Sequence, residues 1–219
     1  MNQVMLQIVQ PVSGSMTLME VLIKGGFLMI PIALLLTITV YVFIERYLTI
    51  NKFVKTDSNF MNSISEFIRK GKIDAAQTLC RNTSEPIARM IDKGISRIGK
   101  PIKEIEDSIE IAGKFEVYKL EKNIQILSSI ASIAPMFGFL GTILGVIKIF
   151  YFISVTNDVS IGSVSSGLYT KMVTSAAGLI VGIVAYIGYQ LLNRMLDKAV
   201  HQLEWEAMNF MDLLNEPTN

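Results

Sequence analysis

The most informative absence in this chain of 219 residues is that of charge within three long runs. Residues 25–44, 123–147 and 172–193 contain no Asp, Glu, Lys, Arg or His. Each run holds the roughly 20 residues that a helix needs to cross the hydrocarbon core of a bilayer. A helix also satisfies its own backbone hydrogen bonds in lipid. The sequence therefore predicts an all-α membrane protein with three transmembrane helices.

Other absences narrow the function. Cys80 is the only cysteine, which excludes an internal disulfide and a cysteine-based metal cluster. We find no phosphate-binding loop, no cluster of metal ligands and no nucleophile beside a base. We therefore expect a protein that is not an enzyme, with no cofactor, no metal and no nucleic-acid partner. The spans also lack the carboxylates and histidines that relay protons through membranes, so a proton-carrying group would have to come from another polypeptide.

The basic residues predict the topology. Of 20 Lys and Arg, 15 lie between Arg46 and Lys122, and the positive-inside rule places such a segment in the cytoplasm. The N-terminus is then periplasmic and the C-terminus cytoplasmic. The predicted order is a periplasmic or interfacial amphipathic segment at 1–24, a first span at 25–46, a helical cytoplasmic segment at 47–122, a second span at 123–150, a periplasmic loop at 151–170, a third span at 171–193 and a cytoplasmic helix at 194–219.

Apolar residues at helical spacing continue beyond the spans. Ile105, Ile109, Ala112 and Phe115 predict a helix that enters the second span without a break. A similar stripe from Leu196 to Leu214 extends the third helix into the cytoplasm. We interpret Arg46 as an interfacial anchor that snorkels, and the charges of the cytoplasmic segment as a solvated surface.

Small residues form a stripe on each of the last two spans, and the stripes have two interpretations. The small side chains can let helices pack closely, or they can line a conduit, which three helices could enclose only in an oligomer. Thr142, Thr174 and Ser175 can bond back to their own helices, or they can order water or a small cation. The candidate ion-pathway residues are Thr142, Ser175, Thr174, Pro135, Gly138, Gly145 and Gly178.

Two lysines bracket the outer ends of these spans. Lys148 follows the second span and Lys171 precedes the third. They can snorkel to the interface, or they can form a cationic ring at the outer mouth of an oligomer.

Residues 134–145 (APMFGFLGTILG) and 167–179 (GLYTKMVTSAAGL) resemble the second-span and third-span motifs of the MotA/TolQ/ExbB proton-channel family, most of all its ExbB branch. The resemblance implies an inner-membrane stator: a pentamer around a dimeric ExbD- or TolR-like single-span partner, which supplies a membrane Asp. Proton flow would drive mechanical work, delivered through a TonB-like protein to outer-membrane transport. Thr142 and Ser175 match positions that face the partner's Asp. Thr170 and Lys171 stand where many members carry a Glu.

Several alternatives stay open. A TolQ-like or other stator role shares the same spans, and so does a membrane scaffold that conducts nothing. A solute transporter is disfavoured, because three unlike spans provide no inverted repeat around a substrate site. The hydroxyl-lined faces suit either protons or sodium.

Overall fold

The computed structural model describes residues 26–54, 59–156 and 161–215, and the regular secondary structure in these ranges is entirely helical. The predicted all-α class is therefore confirmed. The amphipathic segment predicted within 1–24 lies outside the described residues. The helices are α1 (Met29–Val54), α2 (Asn59–Arg69), α3 (Ile73–Asn82), α4 (Pro86–Ile95), α5 (Ile102–Glu121), α6 (Ile124–Thr156) and α7 (Ile161–Asn215).

Three segments of the described chain are long and apolar enough to cross a membrane: the first lies within α1, the second comprises α5 and α6, and the third lies within α7. This confirms the three predicted spans, although the helices are longer than the spans. The first helix begins only at Met29, after a turn in which Gly26 has a φ of 75°. The predicted loop at 151–170 is helical at 151–156 and 161–170. No glycine or proline stands between Val146 and Thr156 to end α6 at residue 150.

The prediction that one unbroken helix runs from the cytoplasmic segment into the second span is wrong at one point. Lys122 has a ψ of 135° and Asn123 has a φ of 67°, so α5 ends at Glu121 and α6 begins at Ile124. Asparagine is among the few residues that adopt positive φ at low cost. The apolar residues keep helical spacing on both sides of Lys122 and Asn123, so the sequence pattern did not indicate the break.

The chain divides into two compact units. The described residues of the first unit are 26–35, 133–156 and 161–181. Those of the second are 36–54, 59–132 and 182–215. The second unit has a hydrophobic core to which α2, α3, α4 and α5 contribute with parts of α1, α6 and α7. Gly94 shows how tightly it packs, since a Cβ there would lie 2.7 Å from Ile109 Cδ1 and 2.8 Å from Phe210 Cε1.

Two charged residues in this core correct the sequence interpretation. Arg46 is only 7% exposed. Its Nη1 donates to the carbonyl of Lys119 at 3.3 Å, and its Nε donates to Glu45 Oε2 at 2.6 Å. The prediction that Arg46 snorkels to the interface is therefore wrong: it ties the end of the first span to α5. Snorkelling requires an exposed guanidinium, and this one is buried by its tertiary neighbours.

Glu116 is the second exception, because it is not part of a solvated surface. Its side chain is 5% exposed and accepts hydrogen bonds from Arg89 Nη2 at 2.6 Å and Lys119 Nζ at 2.7 Å. Burial alone would raise the pKa of Glu116, but the hydrogen bonds and positive charges of Arg89 and Lys119 outweigh it and lower that pKa below 4.5. Glu116 therefore stays ionised and links α4 to α5.

Candidate functional site

The candidate site is the line of contact between α6 and α7 in the first unit. As the contacts advance along α6 they retreat along α7, so the two helices are antiparallel. The contacting residues are Gly138 with Ser175, Gly141 with Thr174, Gly145 with Lys171, and Ile149 with Gly167. The predicted small-residue stripes thus meet each other here, along one face of each helix.

Of the glycines on this line, Gly178 lies nearest to the facing backbone. A Cβ added there would lie 2.6 Å from the carbonyl oxygen of Ala134 and 3.0 Å from Gly138 Cα. Gly138 is nearly as confined, since its Cβ would lie 3.0 Å from the carbonyl oxygen of Ser175. Helices can approach this closely only where neither carries a side chain. The packing interpretation therefore accounts for Gly138 and Gly178.

Thr174 also belongs to this contact. It is 1% exposed, and its Cγ2 lies 3.0 Å from the position of a Cβ on Gly141. Its methyl group fills the space that the glycine leaves. Thr174 is thus placed between α6 and α7 of the same chain.

Ser175 meets Gly138 through its backbone, but its side chain, like that of Thr142, lies beside the contact line, and both residues are partly exposed. Each is displaced from the line by about a fifth of a turn, in the same rotational sense, as the 3.6-residue repeat requires. In an antiparallel pair, equal displacements in the same sense fall on the same edge. The two hydroxyls therefore share one edge of the α6–α7 pair and lie within about one turn, or about 5 Å, of each other along the axes.

The hydroxyl of Thr142 is already engaged as a donor. Its Oγ1 donates to the carbonyl of Phe139 at 2.6 Å, as the back-bonding interpretation predicts. A hydroxyl oxygen retains lone pairs that can accept a further hydrogen bond. Thr142 can therefore offer acceptor capacity at this edge without giving up its bond to the helix.

Pro135 is half-buried inside α6, which remains helical through it. Proline has no N–H to donate to the carbonyl four residues earlier, so α6 lacks one of its regular backbone hydrogen bonds at this point. Pro135 also borders an exposed apolar patch, which includes Met136, Phe139, Leu140 and Ile143.

The two lysines occupy different environments. Lys148 is exposed. The stem of Lys171 instead occupies the notch left by Gly145, where an added Cβ would overlap Lys171 Cγ. Its Nζ reaches within 3.9 Å of the Cβ position of Gly26. Sequence treats the two lysines as equivalent, but only Lys171 is held by the helix pair. The prediction for Thr170 concerns a side chain outside the described part of the structure.

One contact had no signal in the sequence. Leu28, just before α1, places its Cδ1 3.4 Å from the Cβ position of Gly141. The start of the first span therefore touches α6. Leu28 is one leucine among many in an apolar run, so no local pattern distinguishes it from its lipid-facing neighbours.

The described residues of the first unit contain no Asp, Glu, His or Arg. The two lysines among them are Lys148 and Lys171. The arrangement can order water or a cation through its hydroxyls. It has no carboxylate or imidazole that could take up and release a proton.

Comparison with known proteins places these helices in a family. The MotA/TolQ/ExbB proton channel family matches residues 82–205, which is more than half of the chain and includes all of α6. This confirms the resemblance read from the two motifs.

Individual relatives agree. The chain is 31% identical over 109 residues to the biopolymer transport protein exbB1 of Vibrio cholerae serotype O1, which covers 49% of this chain and 47% of the relative. It is 23% identical over 192 residues to a putative biopolymer transport protein ExbB homolog of Methanothermobacter thermautotrophicus, covering 86% and 67%. It is 29% identical over 111 residues to the Tol-Pal system protein TolQ of Haemophilus influenzae, covering 51% and 47%. The matches thus span about half the length of the Vibrio and Haemophilus relatives.

Proposed function

Because the chain belongs to the MotA/TolQ/ExbB proton channel family, we propose that it is the proton-channel subunit of an inner-membrane motor. In this proposal five copies form a ring around a dimeric, ExbD-like single-span partner. Proton-motive force then becomes mechanical work for TonB-dependent transport across the outer membrane. The N-terminus lies in the periplasm and the C-terminus in the cytoplasm, in keeping with the basic residues between Arg46 and Lys122.

The observation that carries the proposal is the missing proton carrier. The described residues of the first unit provide hydroxyls but no carboxylate and no imidazole. A proton crossing beside α6 and α7 needs a group that titrates. A partner helix with one Asp supplies that group, and the hydroxyl edge of this chain supplies hydrogen-bonding partners for it.

The shared edge of Thr142 and Ser175 is the surface that we assign to the partner. Two helices from one subunit cannot enclose a second protein, so the edge must be repeated around a ring. Thr174, Gly138 and Gly178 then act indirectly, by setting the distance between α6 and α7. Pro135 acts on the same edge. Gly145 acts on Lys171, because it leaves space for the stem of that side chain.

Lys171 is the better candidate for the cationic ring at the outer mouth. Its stem is held against Gly145, which fixes the position of the charge, whereas the Lys148 side chain is exposed. Methionine keeps the apolar stem and removes the charge. We therefore expect Lys171→Met to change ion flux and Lys148→Met to leave it unchanged.

A TolQ-like role is the second candidate, and the similarity to a TolQ of Haemophilus influenzae supports it. The two roles differ in what the motor drives. Deleting the gene should abolish uptake of a large iron chelate if the chain serves outer-membrane transport. It should instead cause leakage of periplasmic proteins if the chain maintains the envelope.

The test of the channel is ion flux in liposomes that contain the full chain and an ExbD-like single-span partner from the same organism. We expect proton flux with both proteins, and loss of most of it in a Thr142→Val/Ser175→Val double variant that still assembles. The matched control is Ser132→Val/Ser154→Val, because these hydroxyls of α6 are exposed and bonded to their own backbone.

Three outcomes would count against the channel. Full flux in the Thr142/Ser175 variant would remove the hydroxyl edge from the pathway. No flux from wild-type protein with its partner would favour a non-conducting scaffold. Flux that follows a sodium gradient and ignores a pH gradient would keep the pathway but replace the ion.

A further inference from the structure

An apolar groove lies along α5 and the last part of α7, within the second unit. Its volume is about 640 Å³. The glycine of α5, Gly113, opens the floor, since a Cβ there would lie 3.2 Å from Met90 Sδ. Tyr118 and Met208 border the groove and are 67% and 53% exposed. The apolar lining consists mainly of Met90, Ile109, Val117, Leu203, Ala207 and Met211.

The rim of this groove is acidic. Four glutamates line it against a single lysine, Lys114. That lysine is already paired with one of them, Glu110, one turn away on the same helix. Negative charge is therefore in excess around an apolar floor, and the three other glutamates are Glu106, Glu121 and Glu204.

A second groove, on the other side of α5, serves as an internal comparison. It is larger, about 960 Å³, and five cations and four acids line it. Most of its acids lie near cations: Glu116 accepts hydrogen bonds from Arg89 and Lys119, and Glu104 lies 4.0 Å from Arg97. The two grooves thus share a helix but differ in charge: acids outnumber cations by three in the first, whereas cations outnumber acids by one in the second.

The acidic groove also has a defined length and position. From Glu106 to Glu121 it follows α5 for about 22 Å, or about four helical turns. Its Glu121 end lies next to the break at Lys122–Asn123, where α6 and the second span begin. A chain that leaves the membrane beside this span therefore reaches the groove within a few residues.

We propose that this groove binds a basic amphipathic helix, namely the cytoplasmic segment next to the span of the single-span partner; this rests on the proposed function. A partner that works in the periplasm keeps a short segment in the cytoplasm, and such segments are rich in Lys and Arg. An amphipathic helix places its apolar face in a groove of this kind. Methionines adapt the floor to different side chains, and the glutamates pair with the flanking cations.

Photo-crosslinking in cells tests this directly. Tyr118 is replaced by p-benzoylphenylalanine in the full chain, expressed with the single-span partner. The matched control carries the same amino acid at Phe115, which lies on the same helix, is 58% exposed and borders the other groove. We expect crosslinks to the partner from position 118 at several times the yield from position 115, at partner residues within its Lys/Arg-rich cytoplasmic segment.

A charge-reduced pair of variants tests the acidic rim. Glu106→Gln/Glu121→Gln removes two acids from the groove, while Glu104→Gln/Asp107→Asn removes two acids from the opposite side of the same helix. We expect the first to lower the crosslink yield about fivefold and the second to leave it within a factor of about two, as exposed ion pairs of this kind permit.

Crosslinks from position 118 to another copy of this chain would overturn the proposal, and would assign the groove to contacts within the ring. Equal yields from both positions, or no crosslink to the partner, would also overturn it. Proton flux in the same cells separates this failure from failure of the proposed function, since a working channel whose groove binds something else leaves the channel assignment intact.

Discussion

The contact at Gly178 supports a prediction whose sign is not obvious from sequence. Replacing a helical glycine by alanine ordinarily stabilises a helix by about 1 kcal/mol. In Gly178→Ala, however, the new methyl would lie 2.6 Å from the carbonyl oxygen of Ala134, a backbone atom that cannot rotate away. The two helices must separate by about 0.4 to 0.8 Å to restore a contact of 3.0 to 3.4 Å. We therefore expect Gly178→Ala to destabilise the protein.

The magnitude follows from lost dispersion contacts. A gap of this size forfeits a quarter to a half of the attraction of each atom pair, and about 40 pairs at about 0.15 kcal/mol each would lose about 2 kcal/mol. After the gain in helix propensity, the net loss in the free energy of unfolding is about 1 kcal/mol. Unfolding in dodecyl sulfate, followed by circular dichroism of the detergent-solubilised protein, measures it.

The control is Gly167→Ala, another glycine of α7 that faces α6. Its new methyl would lie 3.0 Å from Ile149 Cδ1, the mobile end of a side chain. We expect this variant to be as stable as wild type or slightly more so. If Gly178→Ala unfolded at the same detergent concentration as Gly167→Ala, the reasoning from backbone approach would be refuted.

Three further predictions concern the second unit. Glu116→Gln should lower the free energy of unfolding by about 1–2 kcal/mol at pH 7; because the Glu116 pKa is lowered, the difference should shrink as the pH falls below 4.5, as thermal unfolding at several pH values would reveal. Burial raises the pKa of the Cys80 thiol to about 12, so iodoacetamide at pH 8 should label Cys80 only after unfolding, and rapid labelling of native protein, detected by mass spectrometry, would contradict the burial. Arg46→Met should destabilise by about 1–3 kcal/mol through loss of the bond to Lys119, whereas Arg194→Met, at an exposed site, should leave the melting temperature unchanged.

Much of the fold could be predicted because membrane helices are specified locally. The three spans follow from uncharged runs, and a run is a property of one segment. The cytoplasmic helices follow from the spacing of residues such as Ile105 and Ile109. The break at Asn123 escaped prediction because two residues with ordinary side chains interrupt the helix without interrupting the apolar pattern.

The candidate site was predicted only in part. The stripes identified Gly138 and Gly178 as small residues on one face, but packing and pore lining produce the same stripe. Only the distances assign these glycines to the contact between α6 and α7. The same distances leave Thr142 and Ser175 on a shared edge, where their role stays a prediction until flux is measured.

By itself the sequence determined the helical class, the three spans, the family and the absence of a carboxylate or histidine from the spans, because each depends on residue identity along one stretch of chain. The tertiary structure decided which of two similar lysines is held by the helix pair and which charged residues are buried. The sequence does not distinguish Lys171 from Lys148, and it does not distinguish Glu116 from its exposed neighbours. Their environments differ because burial and contact depend on what a second helix brings to the same place, which no single segment encodes.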